Sequence, residues 1–207
     1  MSSLPKIDHN TKIGIICEGF EEWYYLDRLL KLNVWDNSYT ITPINAKGES
    51  SVFAKYQEAY ANDNYELVLI FCDTDAKPFR QYEILKKKVN DFHACDAFSI
   101  IAIYANPCSM QIILSHFGDV ELSHQGKKTN ANIIEQFTGI KGYDAHENQI
   151  KDICNMIFMR TYDPMKERIS KLNKGEYNPA STNLIEFLGK FESSDKKWIK
   201  DVNDFLN

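Results

Sequence analysis

The sequence predicts an α/β fold: a parallel sheet flanked by helices, followed by a helical C-terminal extension. Two observations carry this. Short apolar runs alternate with helical repeats over the first half of the chain, and apolar residues in the last third recur only at helical spacing. A length of 207 residues and a hydrophobic content of 43% supply enough side chains for a buried core.

Lys12 to Cys17 is a short apolar run of the kind buried on both faces, and it reads as the first strand. Gly19 ends it, and Trp23, Leu26 and Leu30 then mark a helix. A second strand fits Tyr39 to Asn45 and stops near Gly48. Val52, Tyr56 and Tyr60 follow at helical spacing from a cap at Ser50 or Ser51. Glu66 to Cys72 is the clearest buried strand, and after Asp73-Thr74-Asp75 the residues Tyr82, Leu85, Val89 and Phe92 give a third helix. Phe98 to Tyr104 supplies the fourth strand. This alternation implies right-handed crossovers and a sheet covered on both faces.

Beyond Asn106-Pro107 the strand signal fades, so the sheet is expected to end there. Ile112 to Phe117 reads as helical, Gly118 to Asn132 as a loop, and Ile133 to Phe137 as a resumed helix. Three further apolar stripes follow: Ile150, Cys154 and Ile157; Leu184, Phe187 and Leu188; Trp198, Val202 and Phe205. The division expected is an α/β domain over 10–160 and a helical extension over 161–207.

A formal net charge of -5 argues against a protein that coats nucleic acid non-specifically, because phosphate affinity rests on many Lys and Arg contacts. Any such contact has to be local. Five cysteines occur without a Cys-x-x-Cys pair, and two sit inside apolar runs, which favours reduced core thiols over zinc or disulfides. No signal-like run opens the chain and no apolar stretch reaches about 18 residues, so a soluble cytoplasmic protein without a membrane partner is expected.

Open parallel sheets bind ligands beyond the carboxyl ends of their strands, where the strand order reverses. In the common 2-1-3-4 order, strands one and three are neighbours there. Glu18 ends strand one, while Asp73 and Asp75 end strand three, so in that order three carboxylates would converge on one crevice. Such a cluster needs protons or cations to neutralise it. Mg2+ or Mn2+ answers that need, taking a few carboxylates and keeping room for phosphate oxygens. An Asp-x-Asp alone equally suits a turn or a helix cap; its pairing with Glu18 is what favours a metal. Haloacid-dehalogenase phosphatases place their Asp-x-Asp after strand one. Receiver domains need a Lys after a fifth strand, which is not found, and no Gly-rich phosphate loop occurs.

With Cys17-Glu18-Gly19 after the first strand and Asp73-Thr74-Asp75 after the third, the chain resembles the TOPRIM fold of topoisomerases, primases and overcoming-lysogenization-defect nucleases. More narrowly it resembles the RloB-like family of small TOPRIM proteins. Glu18, Gly19, Glu22 and Tyr25 fit that family's opening motif, Asn106-Pro107-Cys108 its Asn-Pro motif, and His116-Phe117 the end of the next helix. The likeness spans Lys12 to Ile157. Phe20 and Glu21 replace the Lys and Thr often found in the first motif, and Met110 stands where a Glu is common.

The resemblance implies a metal-dependent nuclease acting on DNA or RNA, tRNA included, in bacterial or mobile-element defence such as abortive infection of phage-infected cells. An AAA-type ATPase is the partner implied. It assigns Glu18 as general acid/base or metal ligand, Asp73 and Asp75 as metal ligands, and Glu22 as an auxiliary acid one turn along the same helix face. The alternative is a non-catalytic subunit that binds or senses for the ATPase, a reading that the Met110 departure favours.

Other residues are candidates for substrate contact. Arg80, five positions past Asp75, is placed to neutralise phosphate charge. Asn106 follows strand four at the same edge, where a turn role is the equal alternative. His116 is a candidate, although a lone histidine is often satisfied locally. His124, Lys127 and Lys128 lie in the expected loop, where they either contact phosphate or face solvent. Lys86, Lys87 and Lys88 read as a solvated helix face. Ser109 and Gln111 offer weaker oxygen contacts near the Met110 position.

Overall fold

The computed structural model describes residues 10–62, 64–75, 77–123 and 127–207, with the backbone alone for Lys127 and Lys128. Four strands lie parallel: β1 (Thr11–Cys17), β2 (Tyr39–Asn45), β3 (Leu67–Asp73) and β4 (Ala102–Asn106). A fifth, β5 (Ser181–Thr182), pairs antiparallel with β4, giving the order β2-β1-β3-β4-β5. The chain is therefore α/β with a mostly parallel five-stranded sheet. The first four strands take the common 2-1-3-4 order, the one that makes β1 and β3 neighbours.

The β1 and β3 sequences are apolar on consecutive residues because both faces are covered. Ile13, Ile15, Ile16, Cys17 and Leu69 to Cys72 are all fully buried. Register aligns Cys17 with both Asn45 and Phe71, and Asp73 with Ala105. The residues that follow β1, β2 and β3 consequently emerge along one edge.

The helices are α1 (Phe20–Leu32), α2 (Glu49–Ala61), α3 (Arg80–His93), α4 (Phe98–Ile101), α5 (Met110–Leu114), α6 (Lys127–Thr138), α7 (Glu147–Asn155), α8 (Tyr162–Ser170), α9 (Leu184–Phe191) and α10 (Lys197–Leu206). Several differ from expectation. Phe98 to Ile101 is a helical turn, and β4 begins only at Ala102. Phe98 and Ile101 are both buried at a separation of three, a helical spacing, and the Phe98 N–H donates to Asn90 Oδ1 at 2.8 Å. The apolar run satisfied both periodicities.

Helix α2 starts at Glu49 with Gly48 as its cap, not Ser50 or Ser51. Gly48 holds φ 121°, which a side chain would resist, and its N–H donates to the Glu18 carbonyl at 2.8 Å. The segment expected as a loop to Asn132 is helical from Lys127, and α5 begins at Met110 rather than Ile112.

The sheet also does not end at β4. Thr182 Oγ1 donates to the Tyr104 carbonyl at 2.6 Å. The Asn183 amide accepts from Tyr104 N–H at 2.9 Å and donates to the Ala102 carbonyl at 2.8 Å. These bonds occupy the outer edge of β4, which would otherwise expose unpaired backbone groups. The C-terminal helices join the same core: Trp35 packs on Phe191 and Tyr39 on Trp198, with ring centroids 5.1 and 6.5 Å apart. Among the described residues no helix is long and apolar enough to cross a membrane.

Candidate metal centre

Glu18 is the first residue beyond β1, and its backbone is pinned from both sides. Its N–H donates to the Phe71 carbonyl at 3.1 Å, and its carbonyl accepts from Gly48. Its carboxylate reaches across to β3, where Oε2 accepts the Asp73 N–H at 3.2 Å. Asp75 lies exposed just past the strand at φ 57°, with its N–H donating to the Pro107 carbonyl at 3.1 Å. Glu49 approaches from the first turn of α2. One carboxylate oxygen each from Glu18, Glu49 and Asp75 lie within 4.8 Å of one another.

A second set stands beside the first. Glu21, Asp73 and Cys108 offer one donor atom each, again within 4.8 Å of one another. Glu21 and Glu22 occupy the first turn of α1, where the helix dipole favours carboxylates. Glu22 is buried and accepts the Gly19 N–H at Oε2, 2.8 Å away, the carboxylate half of a capping box. Ser109 Oγ contacts Glu22 Oε1 and donates to Asp73 Oδ1 at 2.7 Å. The Tyr143 hydroxyl donates to Glu21 Oε1, while Glu21 Oε2 is buried without a partner.

This crowding resists ionisation. Burial, then the charges of Glu22 and Asp75, push the Glu18 carboxyl up to about 9. Burial and Glu22 raise Glu21 to about 7, against the lowering bond from Tyr143. Asp73 is raised well above the carboxylate range by burial and by Glu22, Glu18 and Glu21. Burial also raises Glu22, opposed by its bonds from Ser109 and Gly19. Without a cation, Glu18 holds its proton at neutral pH and Glu21 is about half protonated there.

The donors fit a metal ion. Glu18, Glu49 and Asp75 are an all-oxygen set suited to a hard divalent cation, which also relieves their repulsion. The set with Cys108 is softer. Sequence reasoning grouped Glu18, Asp73 and Asp75; the structure brings Glu18 and Asp75 together with Glu49 and sets Asp73 with Glu21 and Cys108.

Glu49 was not anticipated. Its only signal was an acid directly after the glycine that ends the second strand, on the edge where Glu18 emerges. Glu21 figures in the sequence only as a departure from a motif, and Cys108 only as a thiol and as the last residue of the Asn106-Pro107-Cys108 match, in neither case as a donor.

The remaining candidates are dispersed. His116 is buried, with Nε2 3.2 Å from the Tyr25 hydroxyl and Nδ1 2.9 Å from Thr161 Oγ1, and burial holds it neutral with its pKa down to about 3. Both ring nitrogens are therefore occupied within the fold. Asn106 is buried and its amide donates to the Glu176 carbonyl at 2.7 Å, leaving Oδ1 without a partner. Arg80 opens α3 and is exposed. The Gln111 amide is committed to Val120 and Leu122 backbone, and Met110 is buried. The Lys127 and Lys128 side chains, and all of His124, lie outside the described residues. Comparison with protein-family models, with curated proteins and with solved structures finds no match to this chain.

Proposed function

We propose that the protein is a TOPRIM-like, Mg2+- or Mn2+-dependent phosphodiesterase that cuts DNA or RNA, in a defence setting and beside an ATPase partner. The observation that carries this reading is the carboxylate set of Glu18, Glu49 and Asp75 at the carboxyl edge of a 2-1-3-4 sheet. A bound divalent cation supplies charge to polarise a phosphoryl oxygen and to stabilise the leaving oxygen. Glu18, Glu49 and Asp75 would hold it. Asp73, fixed by two bonds from Ser109, orders the adjoining floor of the site. Glu22 stays buried against Ser109 and Gly19, with the Ser109 hydroxyl standing between it and Asp73.

The test is incubation of the purified protein with labelled DNA and with tRNA, in Mg2+ or Mn2+, alone and with an ATPase. Glu18→Gln and Asp75→Asn should abolish any cleavage. Intact strands under every condition would remove the enzymatic reading. Met110, buried where relatives by resemblance carry an acid, favours a second reading in which the chain only binds or senses for its partner. In that case association with the ATPase survives both substitutions.

A further inference from the structure

A cavity of about 180 Å³ opens beside the acids, walled by Cys108, Met110, Leu122, Ala131, Ile134 and Tyr143. It adjoins the second donor set through two residues. Cys108 belongs to the second donor set, and Tyr143 lines the cavity while its hydroxyl holds Glu21. The walls are mainly apolar. Two polar residues also line the space: Asn130, whose amide is spent on the backbone N–H and carbonyl of Ser123, and the exposed Asp144. The volume is below the roughly 300–1,000 Å³ that accommodates a drug-sized ligand, so the occupant is a single ring system.

A larger cavity, of about 230 Å³, lies elsewhere and is less suited to a ligand. Of the charges around it, Arg168 is engaged by the Ser115 carbonyl and by Asp119, and Lys171 by Glu167.

Resting on the phosphodiesterase reading, we infer that the cavity at Cys108, Leu122 and Tyr143 receives one unstacked nucleobase of the substrate, next to the phosphate handled by the acids. An apolar slot with an aromatic residue in its wall offers stacking to any base face and asks for no hydrogen-bond code. A base reaches such a slot only from a single strand or after leaving a duplex stack. The substrate class is accordingly single-stranded or locally opened nucleic acid, and an intact duplex is excluded.

The experiment measures fluorescence anisotropy of a labelled short single strand, the same strand with abasic sites, and its duplex, all in Ca2+. The intact strand should bind about tenfold tighter than the abasic strand, as one stacked base would give. Ala131→Trp, which fills the cavity, should bring the intact strand to the abasic level. Tyr143→Phe, which keeps the ring, should preserve the preference. Equal affinity for intact and abasic strands, or tighter binding of duplex, overturns the inference using the unaltered protein alone. Mn2+ binding by calorimetry is read in parallel. If base preference persists in a protein that binds no cation, the metal reading falls and the cavity assignment stands; cation binding without base preference has the opposite meaning.

Discussion

Ser109 presents its backbone N–H at 2.8 Å and its hydroxyl at 2.7 Å to the same oxygen, Oδ1, of Asp73. The same hydroxyl also touches Glu22 Oε1. A serine hydroxyl has one proton to donate, so two carboxyl contacts require a further proton on Glu22 or Asp73. Ser109→Ala strips the buried Glu22 and the half-buried Asp73 of this partner. The expected cost is about 1–3 kcal/mol of unfolding free energy. It would be read as a lower urea midpoint with an unchanged slope. An unshifted midpoint would mean that the hydroxyl stabilises neither acid.

Glu49 separates the observed donor set from the one the sequence suggested. Glu49→Gln removes one of three charges facing a divalent ion and should weaken Mn2+ binding about tenfold or more, which is about 1.4 kcal/mol or more. Glu58→Gln, on the same helix but paired with Lys55 on the surface, should leave it unchanged. Calorimetric titration of the two variants decides the point. Equal affinities would remove Glu49 from the donor set.

The ends of β1 and β3 were legible because strands buried on both faces leave an unmistakable apolar run, and a carboxylate directly after it is conspicuous. That is why Glu18, Asp73 and Asp75 could be chosen from sequence. Glu21 and Glu49 could not be, since acids in a first helical turn are common for dipole reasons alone. β5 was invisible for another reason. Ser181 and Thr182 carry no apolar pattern, and their strand geometry comes from bonds to β4, including that from Thr182 to Tyr104. The turn at Phe98 to Ile101 was misread because its four residues satisfy strand and helix periodicity alike.

His116 is placed to hold the fold together. His116→Ala opens a cavity and leaves the buried Tyr25 hydroxyl without its ring partner, with an expected loss of about 2–4 kcal/mol. Mn2+ affinity should not change, because the ring's two nitrogens face Tyr25 and Thr161. A variant of unchanged stability that binds nucleic acid more weakly would instead restore His116 as a substrate contact. Chemical denaturation and strand binding on the same preparation separate these outcomes.

The acid cluster sets a pH dependence whose sign follows from its raised carboxyls. Glu18 titrates at about 9 and Glu21 at about 7 in the folded chain, against about 4.3 for an unfolded glutamate. Between those limits the folded state binds more protons than the unfolded one. Their contribution to stability is therefore complete below about pH 4 and is lost as pH rises through about 7 and then about 9. His116, held down to about 3, acts oppositely. Its contribution is complete above about pH 6.5, the unfolded value, and declines on acidification. In EDTA the melting temperature should fall steadily from about pH 6.5 to pH 9, a window in which unfolding releases protons from the raised carboxyls and, toward its upper end, from the buried thiols Cys17, Cys72, Cys108 and Cys154, against about 8.5 for an unfolded cysteine. A divalent cation selects the ionised acids, so the stabilisation by Mg2+ should grow over the same window as binding displaces fewer protons. Glu18→Gln should flatten the decline in EDTA and shrink the Mg2+ effect together. The measurement is thermal unfolding with and without Mg2+ across that range. A Mg2+ effect independent of pH would show that the cation binds away from these carboxyls, and the proposed centre would be lost.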